Sequence, residues 1–235
     1  MTSQGKKFIV VGGGIGGLAA AVALSQQGCH VTVLEQAAEL GELGAGVQLA
    51  PNAFAALDAL GVGENARKRA VFTEQLIMMD AVDGSEVGSF PVGQAFRDRF
   101  KNPYAVIHRA DIHATILEGA QGSDLIQVET STKVASVTQD DAGVTAVDQN
   151  GRVFKADALI AADGVRSLIR EKMFNDPPRI SGHVVYRAVV PVEEMPADLQ
   201  INAPVVWAGP DCHLVHYPLR GGQQYNLVVT FHSRE

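Results

Sequence analysis

Short apolar runs separated by glycines organise the first part of the chain. Residues 8–11 are apolar and mostly β-branched, and because the run is too short for a helix it predicts a buried parallel strand. An alanine-rich segment follows and stops at Gly28, a residue type that commonly ends helices. A second apolar run covers residues 30–34. The pattern therefore predicts a strand–helix–strand unit at the start of the chain.

Alternating and β-branched runs predict many more strands farther along. A tight-turn signal at Asn150-Gly151 predicts a hairpin, and a helix is expected at residues 52–60 with Asn52 as its N-terminal cap. Beyond residue 177 the strands are expected to be antiparallel. The further predicted strands are 76–79, 87–90, 104–107, 125–129, 133–138, 143–148, 153–155, 158–162, 184–190, 205–208, 213–217 and 225–231.

The order of these elements predicts an α/β fold made of two interleaved units. A nucleotide-binding unit with a parallel sheet is expected at residues 1–72 and 102–176. A sheet-rich second unit is expected at residues 73–101 and 177–235.

Composition excludes several classes of protein. The 235 residues are 46% hydrophobic and 19% charged, which is typical of a globular protein. A net charge of −7 without a Lys/Arg cluster speaks against nucleic-acid binding. Two cysteines outside any C-x-x-C pair disfavour a disulfide scaffold or a metal site, and they fit a reducing cytoplasm. The sequence lacks an apolar run of about twenty residues, so we expect no membrane-spanning helix.

The first turn carries the spacing G-x-G-x-x-G at Gly12, Gly14 and Gly17. Gly12 allows the tight turn, Gly14 lets a pyrophosphate approach the backbone, and Gly17 lets the helix pack close to the sheet. The N–H groups at the start of the helix then face the diphosphate. A preceding strand and a following helix supply the context that this motif requires for dinucleotide binding.

Acidic residues follow two of the predicted parallel strands. Glu35 comes after the second strand, where its carboxylate accepts hydrogen bonds from ribose hydroxyls. Asp163 follows the strand at 158–162, and ligands bind at the carboxyl ends of such strands. These residues do not distinguish FAD from NAD, because both cofactors contain adenosine diphosphate.

Arg109 stands at the start of a predicted helix, where a cation opposes the helix dipole. A nearby diphosphate would resolve that conflict. A solvated side chain is the alternative explanation.

His213 and Tyr217 are four residues apart in a predicted strand, so both point to one face. An imidazole is able to take a phenolic proton, and a tyrosine hydroxyl is able to bond the same oxygen. Packing of both side chains within the sheet is the alternative. His216 is out of phase and should face the other way.

Four segments carry a family resemblance: GGGIGG with Glu35, and residues 44–61, 108–117 and 161–170. They resemble class A FAD-dependent aromatic hydroxylases. Residues 209–222 support the narrower resemblance to the branch of salicylate hydroxylase and 3-hydroxybenzoate 6-hydroxylase. The resemblance covers the whole chain. It implies a p-hydroxybenzoate hydroxylase-like architecture, in which a Rossmann-like FAD-binding fold is interleaved with a β-sheet-rich substrate domain.

The resemblance also implies the cofactors and the site residues. FAD is expected as the bound cofactor, with NADH or NADPH as co-substrate. His213 and Tyr217 are expected to be catalytic. The cofactor-binding residues expected are Gly12, Gly14, Ile15, Gly17, Glu35, Gln36, Val47, Arg109, Val134 and Asp163.

The chemistry implied is oxygen transfer to a phenol ring from a flavin C4a-hydroperoxide. The best single expectation for the substrate is 3-hydroxybenzoate, converted to 2,5-dihydroxybenzoate. Salicylate and 6-hydroxynicotinate are the nearest competitors. The expected partners are therefore a small aromatic acid and O₂. Binding to nucleic acid or to a membrane is not expected, and a homodimer is one option for the oligomeric state. An NAD-dependent dehydrogenase and a non-catalytic, truncated flavin-binding fragment are the alternatives from other classes.

One part of the family pattern is missing. Members carry a second FAD motif, a Gly-Asp pair in the later half of a longer chain, and no matching segment follows Tyr225. We therefore expect that the chain is the N-terminal part of a longer protein and that alone it binds FAD poorly.

Overall fold

The computed structural model describes residues 4–41 and 44–233. The chain divides into two compact units. The first unit comprises Met1–Glu42 and His113–Arg179, and the second comprises Leu43–Ile112 and Ile180–Glu235. Each unit is thus built from two separate stretches of the sequence.

Strands outnumber helices in the described residues. The strands are β1 (Lys7–Val11), β2 (His30–Leu34), β3 (Gly46–Leu49), β4 (Val71–Phe72), β5 (Gln75–Asp80), β6 (Glu86–Pro91), β7 (Ala105–His108), β8 (Ile126–Glu129), β9 (Val134–Asp140), β10 (Gly143–Asp148), β11 (Val153–Ala156), β12 (Ala158–Ala161), β13 (His183–Pro191), β14 (Val205–Ala208), β15 (Cys212–Leu219) and β16 (Gln224–His232). The α-helices are α1 (Ile15–Gln26), α2 (Pro51–Ala59), α3 (Gly63–Arg69), α4 (Gln94–Phe100), α5 (Arg109–Gln121) and α6 (Leu168–Phe174).

The first unit is built around a parallel sheet with the strand order β12-β1-β2-β8. Its central strands are apolar because both of their faces are covered. On one face Ala21 of α1 packs with Val10 and Val33, all of them fully buried. On the other face Ile9 and Leu34 belong to a core that includes residues of β10 and α6.

The second unit contains two sheets. A six-stranded sheet has the order β13-β16-β15-β14-β5-β6, and a three-stranded sheet has the order β3-β7-β4. β5 and β6 form the predicted hairpin. However, β14 pairs with β5 in parallel, with Val205 opposite Ile77, so the expectation of purely antiparallel pairing is wrong at this position. The two strands come from distant parts of the chain, and no tight turn imposes an antiparallel direction on them.

The hydrophobic pattern located the strands well. Each predicted strand is present with its ends within two residues of the expected positions. The structure adds β3 and β4. β4 has only two residues, and β3 contains Gly46 and Gln48 and therefore lacks a continuous apolar run. It also corrects the cap of α2, because Ala50 is the N-cap residue and Pro51 occupies the first turn, which leaves Asn52 inside the helix.

The compact units differ from the predicted domains in three segments. Residues 43–72 and 102–112 fall in the second unit, although the domain prediction assigned them to nucleotide binding, and residues 177–179 fall in the first. A long-range contact explains the difference: Val106 of β7 packs with Tyr217 and Leu219 of β15 in one buried cluster.

The predicted α/β class, with a parallel sheet and an interleaved sheet-rich unit, is confirmed. None of the helices in the described residues is both long and apolar enough to cross a membrane.

Candidate functional site

The turn between β1 and α1 requires glycine. Gly12 has a φ of 108°, and a Cβ there would overlap the carbonyl oxygen of Ala162. A Cβ on Gly17 would overlap the carbonyl oxygen of Gly12, so the helix starts directly against the turn. Gly14 is the N-cap residue of α1, and no side-chain cap competes for the first-turn N–H groups. The turn is therefore suited to an anion such as a diphosphate.

Glu35 follows β2 and braces the same turn. Its carboxylate accepts hydrogen bonds from the N–H of Gly13 (2.6 Å) and from the N–H of Ala37 (2.7 Å). A carboxylate has about four lone-pair positions, so the two remaining ones are free to accept hydroxyl groups.

Asp163 follows β12 and holds the turn before α6. Its carboxylate accepts a hydrogen bond from the hydroxyl of Ser167 (2.6 Å) and a longer one from the N–H of Ile169 (3.4 Å). Ser167 in turn caps α6 by accepting from the N–H of Arg170 (3.0 Å). Asp163 thus has a structural task in this turn.

A cavity of 520 Å³ opens at the carboxyl ends of β1, β2 and β12 in the first unit. Open parallel sheets bind ligands at this edge. The structure brings six of the predicted cofactor-binding residues into its wall: Gly12, Gly14, Glu35, Gln36, Val134 and Asp163. Ile15 begins α1 and Gly17 lies in its first turn, so both shape the turn beside the cavity.

Sequence reasoning missed three polar residues in the cavity wall, Thr132, Lys133 and Arg166. Lys133 and Arg166 bring two positive charges to a site suited to an anion. Thr132 is buried, and its hydroxyl accepts a hydrogen bond from Arg152 (2.5 Å). Thr132 and Lys133 belong to no motif, and their position just before β9 was the only signal. Arg166 lies in the segment 161–170 that carries the family resemblance, three residues after Asp163, and was not singled out there.

Val47 and Arg109 lie near each other in the second unit. Val47 of β3 is paired with Ile107 of β7, and the N–H of Arg109 donates to the carbonyl oxygen of Ala45 (2.8 Å). As predicted, Arg109 is the first residue of α5.

An ion pair fixes the first turn of α5. The guanidinium of Arg220 donates to both carboxylate oxygens of Asp111, each at 3.1 Å. Burial lowers the pKa of the nearby His108, and the positive charge of Arg220 lowers it further. The negative charge of Asp111 raises the same pKa and offsets part of this decrease. This pair connects the end of β15 to the helix that begins at Arg109.

Tyr217 is almost fully buried, with 3% of its surface exposed. Its ring lies against Gly46, where a Cβ would come within 2.7 Å of the phenol oxygen. Burial raises the pKa of Tyr217 to about 12. The phenol therefore stays protonated well into the alkaline range, so its O–H is able to donate a hydrogen bond there.

His213 is exposed near the start of β15 and shares a face with Tyr217. Because a strand rises about 3.4 Å per residue, the two Cα atoms lie about 14 Å apart. This separation does not favour the expectation that both side chains bond one substrate oxygen. The distance between the two Cα atoms instead suits an arrangement in which His213 and Tyr217 contact opposite ends of a ligand.

His216 points to the other face of the sheet. It is 1% exposed and lies between the rings of Trp207 and Tyr225, each 6.3 Å away between ring centroids. Burial lowers its pKa. Its place is in the core.

Comparison with known proteins assigns a family to this arrangement. The family model described as the FAD binding domain matches residues 6–208. The 3-hydroxybenzoate 6-hydroxylase of Polaromonas naphthalenivorans (strain CJ2) is 60% identical over 227 residues, which cover 97% of this chain and 57% of the relative. A protein of the same name from Klebsiella oxytoca is 60% identical over 229 residues, which cover 97% of this chain and 58% of the relative.

A solved structure agrees in fold. The crystal structure of Klebsiella pneumoniae HpxO complexed with FAD and uric acid is 26% identical, with a TM-score of 0.81, and the match covers 97% of this chain and 57% of that chain. This chain thus spans less than two thirds of the length of each of these proteins.

Proposed function

The chain belongs to the FAD-binding domain family, and from this premise we propose that the cavity of the first unit holds the adenosine diphosphate part of FAD. The observation that carries the proposal is the meeting of the Gly12–Gly14 turn and Glu35 in one cavity wall. The diphosphate binds at the N-terminus of α1, and Lys133 and Arg166 balance its charge.

Glu35 binds the adenosine ribose in this proposal. Its carboxylate uses two lone pairs on the backbone N–H groups of Gly13 and Ala37, and it offers the others to the ribose hydroxyls. Gln36 and Val134 line the same cavity. Val47 and Arg109 stay predictions for FAD contacts.

The whole protein, we infer, is an NAD(P)H-dependent flavoprotein monooxygenase acting on a small phenolic carboxylate. FAD supplies the oxygen-activating chemistry when bound. The protein binds and orients the phenol, and a ring nitrogen of His213 accepts the phenolic proton, which makes the ring carbons more nucleophilic. The Tyr217 hydroxyl donates a hydrogen bond to a substrate oxygen at the other end of the ring.

The proposed substrate is 3-hydroxybenzoate, hydroxylated at position 6 to 2,5-dihydroxybenzoate. Two relatives that are 60% identical to this chain carry the name of that activity. Salicylate and 6-hydroxynicotinate are the competing substrates. A homodimer and a cytoplasmic location also stay predictions, which light scattering and cell fractionation would test.

A substrate panel tests the activity in a protein of the relatives' full length. We expect 3-hydroxybenzoate to give the strongest stimulation of NADH or NADPH oxidation, with 2,5-dihydroxybenzoate as product. His213→Ala should slow hydroxylation near neutral pH, whereas the exposed control His30→Ala should not. Normal hydroxylation by His213→Ala would remove the base assignment, and a protein without a flavin absorbance spectrum would favour the dehydrogenase alternative.

A further inference from the structure

Two exposed histidines face each other at the edge of the six-stranded sheet. His183 of β13 is directly opposite His232 of β16. Their ring centroids are 5.3 Å apart, and the ring planes meet at 83°. The proposed oxygenase chemistry uses neither residue.

The hydrogen-bond pattern of the sheet brings these two side chains close. The N–H of Ser233 donates to the carbonyl oxygen of Gly182 (2.8 Å), so the bond lies just outside the histidine pair. This places His183 and His232 at a non-hydrogen-bonded position of the antiparallel ladder. At such positions opposing Cα atoms are only about 4.5 Å apart and the side chains are closest.

Gly182 keeps one ring nitrogen uncovered. A Cβ at this position would lie 2.9 Å from Nε2 of His232. A side chain at position 182 would therefore crowd that nitrogen. Gly182 also has a backbone φ of 79°, which favours glycine. The glycine thus avoids a side-chain contact with Nε2 of His232.

The separation of the rings fits a shared metal ion. With metal–nitrogen bonds of about 2.0–2.1 Å and a tetrahedral angle, the centroids of two imidazole ligands lie about 5 Å apart. The observed separation is 5.3 Å. We propose that His183 and His232 form a two-ligand site for a divalent transition-metal ion such as Zn²⁺.

Water completes the coordination of this site. Among residues 4–41 and 44–233, no group of three His, Cys, Asp or Glu side chains is placed to hold a metal ion. Imidazole selects Zn²⁺, Ni²⁺ or Cu²⁺, whereas Mg²⁺ prefers oxygen ligands. A bound ion links β13, an edge strand, to β16 and so stabilises the folded sheet by mass action.

Calorimetric titration of the 235-residue chain with Zn²⁺ tests the site. We expect one Zn²⁺ per chain. The affinity for Zn²⁺ should fall by more than about tenfold in His183→Ala and in His232→Ala. Loss of a group that only supports a metal ligand already costs about tenfold or more, and loss of the ligand itself should cost more. The matched control is His30→Ala, which removes an exposed histidine of the first unit, and it should bind Zn²⁺ as before. Mg²⁺ should give no binding.

Thermal unfolding gives a second readout. Zn²⁺ should raise the unfolding temperature of the unaltered chain and leave that of His183→Ala unchanged, while circular dichroism shows that both are folded. Absence of Zn²⁺ binding to the unaltered chain, or equal affinity in His183→Ala, would overturn the proposal. So would loss of binding in Cys212→Ser with retention in both histidine variants, because the exposed thiol would then be the ligand.

Discussion

His113 of α5 donates a hydrogen bond from its Nε2–H to the carbonyl oxygen of Gly13, across 2.8 Å. The imidazole is buried, with 3% of its surface exposed. Since Glu35 accepts the N–H of the same Gly13 at 2.6 Å, side chains hold this residue from both of its polar backbone groups. The turn that we propose to bind the FAD diphosphate is therefore fixed by an acid 22 residues away and a histidine 100 residues away in sequence.

Removal of this histidine should destabilise the first unit. In His113→Ala the carbonyl oxygen of Gly13 loses its donor in a buried site, which costs about 1–3 kcal/mol. We expect the free energy of unfolding, measured by urea denaturation, to fall by this amount. His113→Gln keeps an amide donor and should recover part of it; equal stability of all three proteins would show that the hydrogen bond does not matter.

Glu35→Gln should weaken FAD binding. The carboxylate of Glu35 accepts the N–H groups of Gly13 and Ala37 with its two oxygens. The glutamine side chain keeps one of these oxygens, but its NH₂ group cannot accept a hydrogen bond from the other N–H. Hydrogen bonds to charged groups contribute about 1.5–3 kcal/mol, so we expect the dissociation constant for FAD to rise by about tenfold or more. Quenching of flavin fluorescence measures it. Glu39→Gln, a neighbouring exposed acid, is the control, and an effect of equal size in the control would contradict a specific role for Glu35.

Tyr217 should ionise only in strong alkali. Burial raises its pKa from 10.0 to about 12, so the ionised form is disfavoured in the folded chain. Stability contributed by the neutral phenol is complete below pH 10 and is lost as the pH rises through 12. Burial also raises the pKa of Tyr104 and of Tyr225. Absorbance titration of the phenolates should nevertheless show a last step near pH 12 that is absent from Tyr217→Phe. A step near pH 12 that persists unchanged in the variant would contradict the assignment to Tyr217.

His216 should make the fold sensitive to acid. Burial lowers its pKa, so the folded chain resists its protonation while the unfolded chain accepts a proton near pH 6.5. Stability is therefore complete above pH 6.5 and is lost as the pH falls below it. His216→Phe keeps a ring between Trp207 and Tyr225, and its free energy of unfolding should depend less on pH between 7 and 5. An unchanged pH dependence in His216→Phe would contradict this.

The sequence predicted those features that depend on neighbouring residues. Gly12, Gly14 and Gly17 stand within one turn, and the strand and helix around them follow from a local hydrophobic pattern. The FAD-binding family suggested by these segments is confirmed by the match over residues 6–208. The assignment of His213 and Tyr217 as catalytic stays a prediction.

The missed features depend on long-range contacts. His113 reaches Gly13 only after the chain has folded, and the parallel pairing of β14 with β5 joins segments that no local signal connects. Lys133 enters the cavity wall from the position just before β9, where no motif marks it. Arg166 enters from the turn after β12, and its segment carries a motif that did not single it out. Packing of Val106 against Tyr217 likewise joins segments that lie far apart in the sequence.

A crystal structure of the full-length protein grown with FAD tests the central claim most directly. The account predicts the diphosphate at the N-terminus of α1 and the adenosine ribose at the carboxylate of Glu35. Electron density for a nicotinamide dinucleotide in that cavity without any isoalloxazine, or FAD bound away from Gly14 and Glu35, would contradict it.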